Sequence, residues 1–423
     1  MKKMNTSPVS GMQEFAPEAQ AKFDTLKNKI AETYSRHGYL HIETPVIDRA
    51  EILLAKAGGD TEKQIYRVFK TAETADSADQ ALRFDHTVPL ARYVVEHESE
   101  LTFPFKVTQV GRNFRGERAQ KGRFREFYQC DVDVVGRGSL PLYYDVDVIV
   151  TLLDTFMGFE LNTPVIARIN NRKILSGLVQ EYGLEAQAEE IFSIIDHAEK
   201  VPVEKTKEAF EEAGLNNRQI EAMMEFVEIR GSRTEVVGRL KEMGIANDTF
   251  VLGVDELDMV LKMMEVGGYE KLVRADMKIV RGLDYYTGTV FEFNLPEYPQ
   301  VGSVCGGGRY DNLAGFFTEQ KFPGVGGSIG LTRLNYVLNE HNLIKNQIGK
   351  SIDTAIIPIT DNEIPFAMKV AKDLREKGEK TTIVMIDKKL GDKMRYAATI
   401  AKKAIVLGEN EVQSGRFETK LFE

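Results

Sequence analysis

The sequence predicts an α+β protein: an antiparallel sheet flanked by helices, a helical insertion within that unit, and a small α/β domain at the C-terminal end. Three observations carry this. Two strand-like runs, 105–114 (FKVTQVGRNF) and 125–135 (REFYQCDVDVV), flank one basic loop and read as an antiparallel hairpin. Between 172 and 268, four apolar stripes with helical spacing each end at glycine. From 353 onward, strand and helix patterns alternate, the mark of a mostly parallel sheet.

Phe23, Leu26, Ile30 and Tyr34 share one face of a first helix that Gly38 can stop. The extended segment Tyr39–Pro45 follows, and Pro45 places its end at an edge or a break. The insertion begins with a stripe of Ile174, Leu175, Leu178, Val179 and Tyr182, stopped at Gly183. A second stripe, Ile220, Met223, Met224 and Val227, precedes Gly231. Val236, Val237, Leu240 and Met243 precede Gly244, and Leu257, Val260, Leu261 and Met264 precede Gly267-Gly268. Strand-like segments return at 277–294 and 300–308, and a glycine-rich run opens a helix near 328–341. The polar stretch 341–351 reads as a linker. After it come DTAIIPI, a helix through Ala367, Val370, Ala371 and Leu374, TTIVMI, a helix near 390–402, and KAIVLG. The resulting division is 1–340, with 172–268 inserted, a linker at 341–352, and a domain at 353–423.

A chain of 423 residues, 43% of them hydrophobic, is long enough for two or three domains with substantial cores. Cys130 and Cys305 are its two cysteines, in no CxxC spacing. That argues against a disulfide scaffold or zinc site and suits a reducing cytosol. No apolar run follows the basic start, and no signal peptide or membrane span is visible. The net charge of −9 gives no global hint of nucleic acid, but two segments, 112–125 and 388–403, each carry six Lys/Arg against one acid. Such segments grip phosphates, or form solvated charged faces.

The run Gly324–Arg333 is phosphate-friendly in its glycines but is no P-loop, because Leu331 follows the last glycine, and Ile329 breaks GxGxxG spacing. Taken alone, tight strand–helix packing, where side chains would obstruct the backbone, is the better account of it. Arg115, Arg123, Arg281 and Arg333 lie at predicted strand or helix ends, where bidentate, permanently charged guanidinium groups would neutralise a triphosphate if they converged. For Arg281 the alternative is a buried salt bridge to Asp284. There is no HExxH, no GxSxG and no Cys–His pair of recognisable context, so alternative catalytic sets are weak, and no protein motif for a metal is present.

At these residues the sequence resembles the histidyl-tRNA synthetases, class II enzymes built on an antiparallel sheet, along nearly its whole length. Gly11–Pro17 resembles the family's opening signature, and Gly38–Pro45 with its preceding helix resembles motif 1, the family's dimer interface. Phe114–Glu117 with Arg123–Phe127 resembles motif 2, and Gly324–Leu334 resembles motif 3. Arg281–Glu292 (RGLDYYTGTVFE) and Cys305–Leu313 (CGGGRYDNL) are similar to the two histidine signatures. Leu82–Thr87 and Ile169–Lys173 also fit.

The resemblance implies histidine, ATP with Mg2+, and tRNA(His) as ligands, a cytoplasmic homodimer and no membrane. Arg115 would hold the α-phosphate, Arg123 and Arg333 the γ-phosphate, and Phe127 the adenine, with Glu117 at its edge. Arg281 would polarise the α-phosphate. Asp85, Thr87 and Gln129 would bind the histidine ammonium and carboxylate. Asp133 and Tyr286 would bracket the imidazole, Tyr310 would close the pocket, and Tyr285 belongs to the same histidine set. For tRNA the implied contacts are Arg118 and Lys121 in the motif 2 loop, and Lys388, Lys389, Lys393 and Arg395 in the C-terminal domain. Asp85 and Asp133 stand where many bacterial members have Glu, and Thr332 stands where motif 3 commonly has an acid. A catalytically inert relative that regulates an ATP phosphoribosyltransferase shares the fold but typically lacks the C-terminal domain and several arginines. Residues 353–423 and the four arginines are present here, which favours the enzyme.

Overall fold

The computed structural model describes residues 4–54, 60–72, 74, 79–280, 286–345, 350 and 352–422. The chain divides into two compact units, 1–14 with 26–345, and 15–25 with 346–423.

In the first unit the strands are, in chain order, β1 (Leu40–His41), β2 (Ile47–Arg49), β3 (Arg67–Val68), β4 (Gln80–Leu82), β5 (Phe105–Phe114) and β6 (Glu126–Val135). They continue as β7 (Ile166–Asn171), β8 (Arg230–Gly231), β9 (Val273–Asp276), β10 (Thr289–Asn294), β11 (Ser303–Tyr310) and β12 (Gly324–Ile329). One sheet has the order β1-β5-β6-β12-β11-β10-β7-β9-β8, and β2, β4 and β3 form a smaller one. From β5 to β7 every neighbouring pair is antiparallel; β1 on β5 and β7 on β9 are parallel. The predicted hairpin is β5–β6, with Phe105 opposite Val135 and Phe114 opposite Glu126.

Side chains alternate along a strand, so the pattern of β6 sorts itself between two faces. Cys130, Val132 and Val134 are fully buried on one face. Phe127, Gln129, Asp131 and Asp133 share the other. On the apolar face, helix Tyr143–Met157 packs against β12 and helix Leu331–Glu340 against β6. Tyr34 of helix Pro17–Arg36 is buried there too, and its hydroxyl donates to the Cys130 carbonyl at 3.0 Å.

The glycine-rich run leads into the expected helix, with Gly330 as its N-cap, but most of the run is itself a strand. Gly324–Ile329 is strand β12 in the middle of the sheet, and the helix begins at Leu331. The glycines are there for close approach. A Cβ on Gly327 would lie 2.7 Å from Leu152 Cδ1, and one on Gly326 would lie 1.9 Å from Asp133 Oδ1.

The four stripes of the insertion form helices Arg172–Glu181, Asn217–Val227, Arg233–Glu242 and Asp248–Val266. Gly183 (φ 64°) and Gly244 (φ 66°) stop the first and third in the left-handed region, where a Cβ would be strained. Two further helices, Ala188–His197 and Val203–Glu212, lie between the first two and were not predicted. Each buries two side chains, Ile191 with Ile195 and Thr206 with Phe210, too few to make a legible stripe. The family segment Ile169–Lys173 is a helix start held from within. Asn171 accepts from Lys173 N at 3.0 Å and donates to Glu256 at 2.7 Å.

The apolar face of helix Pro17–Arg36 finds its partner inside the chain, since Leu26, Ile30 and Tyr34 are buried within this unit. What stays exposed near it is Leu40 at the sheet edge, with Val46 and Ile47 just beyond.

The second unit has strands β13 (Ile352–Pro358), β14 (Thr381–Ile383), β15 (Ala401–Leu407) and β16 (Thr419–Leu421), in the order β14-β13-β15-β16. β13 runs parallel to β14 and β15, while β16, not foreseen, is antiparallel to β15. Helices Ile364–Glu376 and Leu390–Ile400 complete it. Alternation in β13 feeds two cores: Ile356 packs with Ala367, Val370 and Ala371, whereas Ala355 and Ile357 pack with Val384 and Ala397. Among the described residues, no helix is long and apolar enough to cross a membrane.

Candidate active site

The polar face of β6 is the floor of a pocket of about 180 Å³. Asp85, Thr87, Arg115, Gln129, Asp133, Tyr286 and Tyr310, all picked out from the sequence, line it together. Asp131 and Ser328 line it too and were missed. The signal for Asp131 was in the period of two, since it lies between Gln129 and Asp133 on one face. Ser328 is opposite Asp131 in register, but only the β6–β12 pairing reveals that.

Asp85 follows β4 and accepts from Val88 N at 3.1 Å, at the start of helix Thr87–Glu96. Tyr310, at the end of β11, donates its hydroxyl to Asp133 Oδ1 at 3.0 Å. Gln129 donates to Ser328 Oγ at 2.8 Å and accepts from Asn113 Nδ2 at 2.7 Å. Ser328 Oγ donates to Asp131 Oδ1, and Asp131 Oδ2 lies 3.2 Å from His86 Nδ1. Arg83 is a clamp outside the pocket, donating to the carbonyls of Arg112 (2.8 Å) and Thr44 (2.7 Å).

Three buried carboxylates cannot easily all carry charge. Burial pushes Asp133 well above the ordinary carboxylate range, and Asp131 beside it adds to the rise, against the Tyr310 hydroxyl. Burial also raises Asp85, while the Val88 N–H and Arg115 pull it back. Burial, then Asp133, raise the Tyr310 hydroxyl. The pocket therefore favours a ligand with cationic or proton-donating groups.

Arg115 follows β5, with its guanidinium 4.3 Å from the Phe84 ring centre and 5.0 Å from that of Phe127. Arg123 lies 3.5 Å from Glu117. Arg123 and Arg333 are not in the small pocket; they share a cleft of about 1270 Å³ on the same unit, with Arg168, Arg230 and Arg274. Arg333 donates to the Val301 carbonyl, and buried Thr332 beside it accepts from Tyr128 N at 2.7 Å, tying the helix start to β6. Thr332 thus has a structural partner where an acid is common. Arg281, Asp284 and Tyr285 lie outside the described residues, so the salt-bridge alternative lies there too.

Of the expected tRNA contacts, Arg118, Lys121, Lys388, Lys389 and Arg395 are exposed. Lys393 is not. It is buried, and its Nζ donates to the carbonyls of Pro358 (2.9 Å) and Ile359 (3.3 Å), so it belongs to the interior of its domain. Arg395 pairs with Asp392, Lys402 with Asp353 and Lys403 with Glu379.

A mostly antiparallel sheet carrying an acid-lined pocket with an arginine on one face is the core of a class II aminoacyl-tRNA synthetase. The family model for histidyl-tRNA synthetase matches residues 11–334, and a model for an anticodon binding domain matches 353–422. The histidine–tRNA ligase of Clostridium tetani is 42% identical over 429 aligned positions, covering 100% of this chain and 96% of the relative. That of Finegoldia magna is 38% identical, covering 99% and 95%. The crystal structure of histidyl-tRNA synthetase from Nostoc sp. PCC 7120 superposes with a TM-score of 0.87 at 36% identity, over 99% of this chain and 97% of that one. The chain belongs to the histidyl-tRNA synthetase family. A Bacillus halodurans structure, described as an ATP phosphoribosyltransferase regulatory subunit/histidyl-tRNA synthetase, has a TM-score of 0.78 at 19% identity and shares the fold.

Proposed function

We propose that the protein activates histidine with ATP to histidyl-adenylate and pyrophosphate, and then transfers histidine to the 3′ end of tRNA(His). The observation that carries this is the convergence of seven sequence-picked residues on one small pocket. Asp85, Thr87 and Gln129 hold the ammonium and carboxylate; Asp133, Tyr286 and Tyr310 surround the imidazole. A site built to exchange hydrogen bonds with an imidazole rejects apolar isosteres, because its own polar groups would be left unpaired. ATP enters as its magnesium complex. Arg115 takes the α-phosphate, Arg123 and Arg333 take the γ-phosphate, and Phe127 takes the adenine with Glu117 at its edge. Arg281 supports the α-phosphate as the histidine carboxylate attacks it. The pure protein should exchange pyrophosphate into ATP with histidine and magnesium present, and with no other amino acid. Equal exchange with all amino acids, or none with any, overturns the reading.

We assign activation to 1–340, with 172–268 as an insertion, and tRNA reading to 353–423 across the linker 341–352. Residues 351–423 carry 13 Lys/Arg against 12 Asp/Glu, a net of +1 in a chain of −9. Lys388 and Lys389 make no ion pair among the described residues, and exposed Tyr396 offers a face for base stacking on the same helix as Arg395. Lys388→Gln with Lys389→Gln should lower the salt slope of tRNA binding by roughly one to two units. The histidine and ATP constants should stay put. An unchanged slope argues against this surface. Lys393 is left out of that test because of its burial.

We also propose a homodimer through the exposed apolar edge at Leu40, Val46 and Ile47, continuous with the motif 1 segment. Sedimentation at micromolar concentration should show two chains, and Leu40→Lys with Ile47→Lys should shift it toward one. A fully active monomeric wild type counts against it. The cytosol suits the two buried, free thiols of Cys130 and Cys305.

A further inference from the structure

His86 is fully enclosed, yet neither ring nitrogen has a hydrogen-bond partner among the described residues. Its Nδ1 lies 3.2 Å from Asp131 Oδ2, off the line of a hydrogen bond but within electrostatic reach. A buried imidazole left without any acceptor is unfavourable, so this carboxylate is the group that balances it.

The other side of Asp131 is held as well. Its Oδ1 accepts the Ser328 hydroxyl proton. A hydroxyl has one proton, so Ser328 Oγ must accept from its other neighbour, and it does so from Gln129 Nε2 at 2.8 Å. That turns the Gln129 carbonyl oxygen toward Asn113 Nδ2, at 2.7 Å. The chain Asp131–Ser328–Gln129–Asn113 therefore has one direction, set by Asp131 as its final acceptor, with His86 Nδ1 against the other carboxylate oxygen. Asp85 and Asp133 flank Asp131 in the same pocket, and Arg115 is the described cation among them. Asp131 takes the Ser328 proton on Oδ1 and faces His86 Nδ1 with Oδ2, so neighbours bracket its carboxylate on both sides.

We infer that His86 is a positioning residue: with Ser328 it holds the Asp131 carboxylate in place, and Asp131 reads the α-ammonium of the amino-acid substrate. This rests on the histidine-activating reading above. It adds a recognition group to Asp85, Thr87 and Gln129, and gives Gln129 its amide orientation.

The test compares wild type with His86→Leu, His86→Gln, Ser328→Ala and Asp131→Asn in pyrophosphate exchange. Two inhibitors separate the ends of the ligand: histidinol keeps the ammonium and lacks the carboxylate, and imidazolepropionate does the reverse. His86→Leu should raise the histidine KM and the histidinol inhibition constant by about 10-fold, with the loss in KM rather than kcat. Imidazolepropionate inhibition and the ATP KM should not follow. His86→Gln, whose amide can still donate toward Asp131, should recover part of the loss. In an Asp131→Asn background, His86→Leu should add nothing more. An unchanged histidine KM in His86→Leu overturns the inference, and so does equal weakening of both inhibitors, which marks a packing role. If the His86 variants do not fold, Ser328→Ala decides, by selective weakening of histidinol or its absence. If wild type fails to exchange with histidine, the activity reading falls. The inference is then decided by calorimetric binding of histidinol and imidazolepropionate to the same proteins.

Discussion

Arg115→Ala should slow histidyl-adenylate formation by about 10²–10³-fold, with a much smaller change in the histidine KM. Arg115 directly follows β5 and reaches into the acid-lined pocket, and its guanidinium is stacked in advance on Phe84 and Phe127. A cation held in place by two rings needs little reorganisation when charge develops on the α-phosphate. Arg115→Lys should recover little. An ammonium neither spreads over two rings nor offers a fork to phosphate oxygens. A second consequence follows from Asp85, whose upward shift Arg115 opposes. Without Arg115, Asp85 holds its proton to higher pH, so histidine binding by the variant should improve as pH rises. Single-turnover quench of adenylate formation across pH checks both. A burst of near wild-type rate would mean that Arg115 only shapes the pocket.

How legible this was differs by element. The β5–β6 hairpin could be read because both strands are rich in β-branched and aromatic residues, and its loop is basic and polar. β12 could not, because Gly324, Gly326 and Gly327 have no side chains to show a period, and their reason for being glycine lies in other strands. Convergence was not readable from spacing at all. Asp85, Thr87, Arg115, Gln129, Asp131, Asp133, Tyr286 and Tyr310 meet because β6 and β11 are both neighbours of β12, which the sheet order fixes. Resemblance to the family supplied that grouping in advance, yet it did not supply Asp131 or Ser328, which needed the register. Charge counting misplaced Lys393. A lysine stem can cross an apolar layer and spend its ammonium on carbonyl oxygens, and nothing in the run KKLGDKMR distinguishes that lysine from its neighbours.

Arg309→Leu should cost about 3–5 kcal/mol of stability, although Arg309 lies inside a histidine signature beside Tyr310. Alternation along β11 puts Gly306, Gly308 and Tyr310 toward the pocket and sends Arg309 to the opposite face. There it meets Asp145, with Nε at 3.1 Å and Nη2 at 2.7 Å from Oδ1, and donates to the carbonyls of Leu140 (3.1 Å) and Pro141 (3.2 Å). The Asp145 side chain is 0% exposed and that of Arg309 is 8% exposed. Burial holds the Asp145 carboxyl above its ordinary range even with Arg309 opposing it. Removing the guanidinium leaves that carboxylate uncompensated and raises it further. A carboxyl whose folded pKa lies above its unfolded one favours the folded state in its protonated form. The loss should therefore be greatest at neutral and alkaline pH, and shrink as pH falls through the raised value. Urea unfolding at pH 8 and pH 5.5 measures this. The double variant Arg309→Leu with Asp145→Leu should recover most of the loss, because two apolar side chains leave no buried charge behind. Well below its unfolding midpoint, the single variant should still exchange pyrophosphate with histidine, since the side chain points away from the pocket. A loss under about 1 kcal/mol, or a double variant no more stable than the single one, would show that the pair is not what anchors β11.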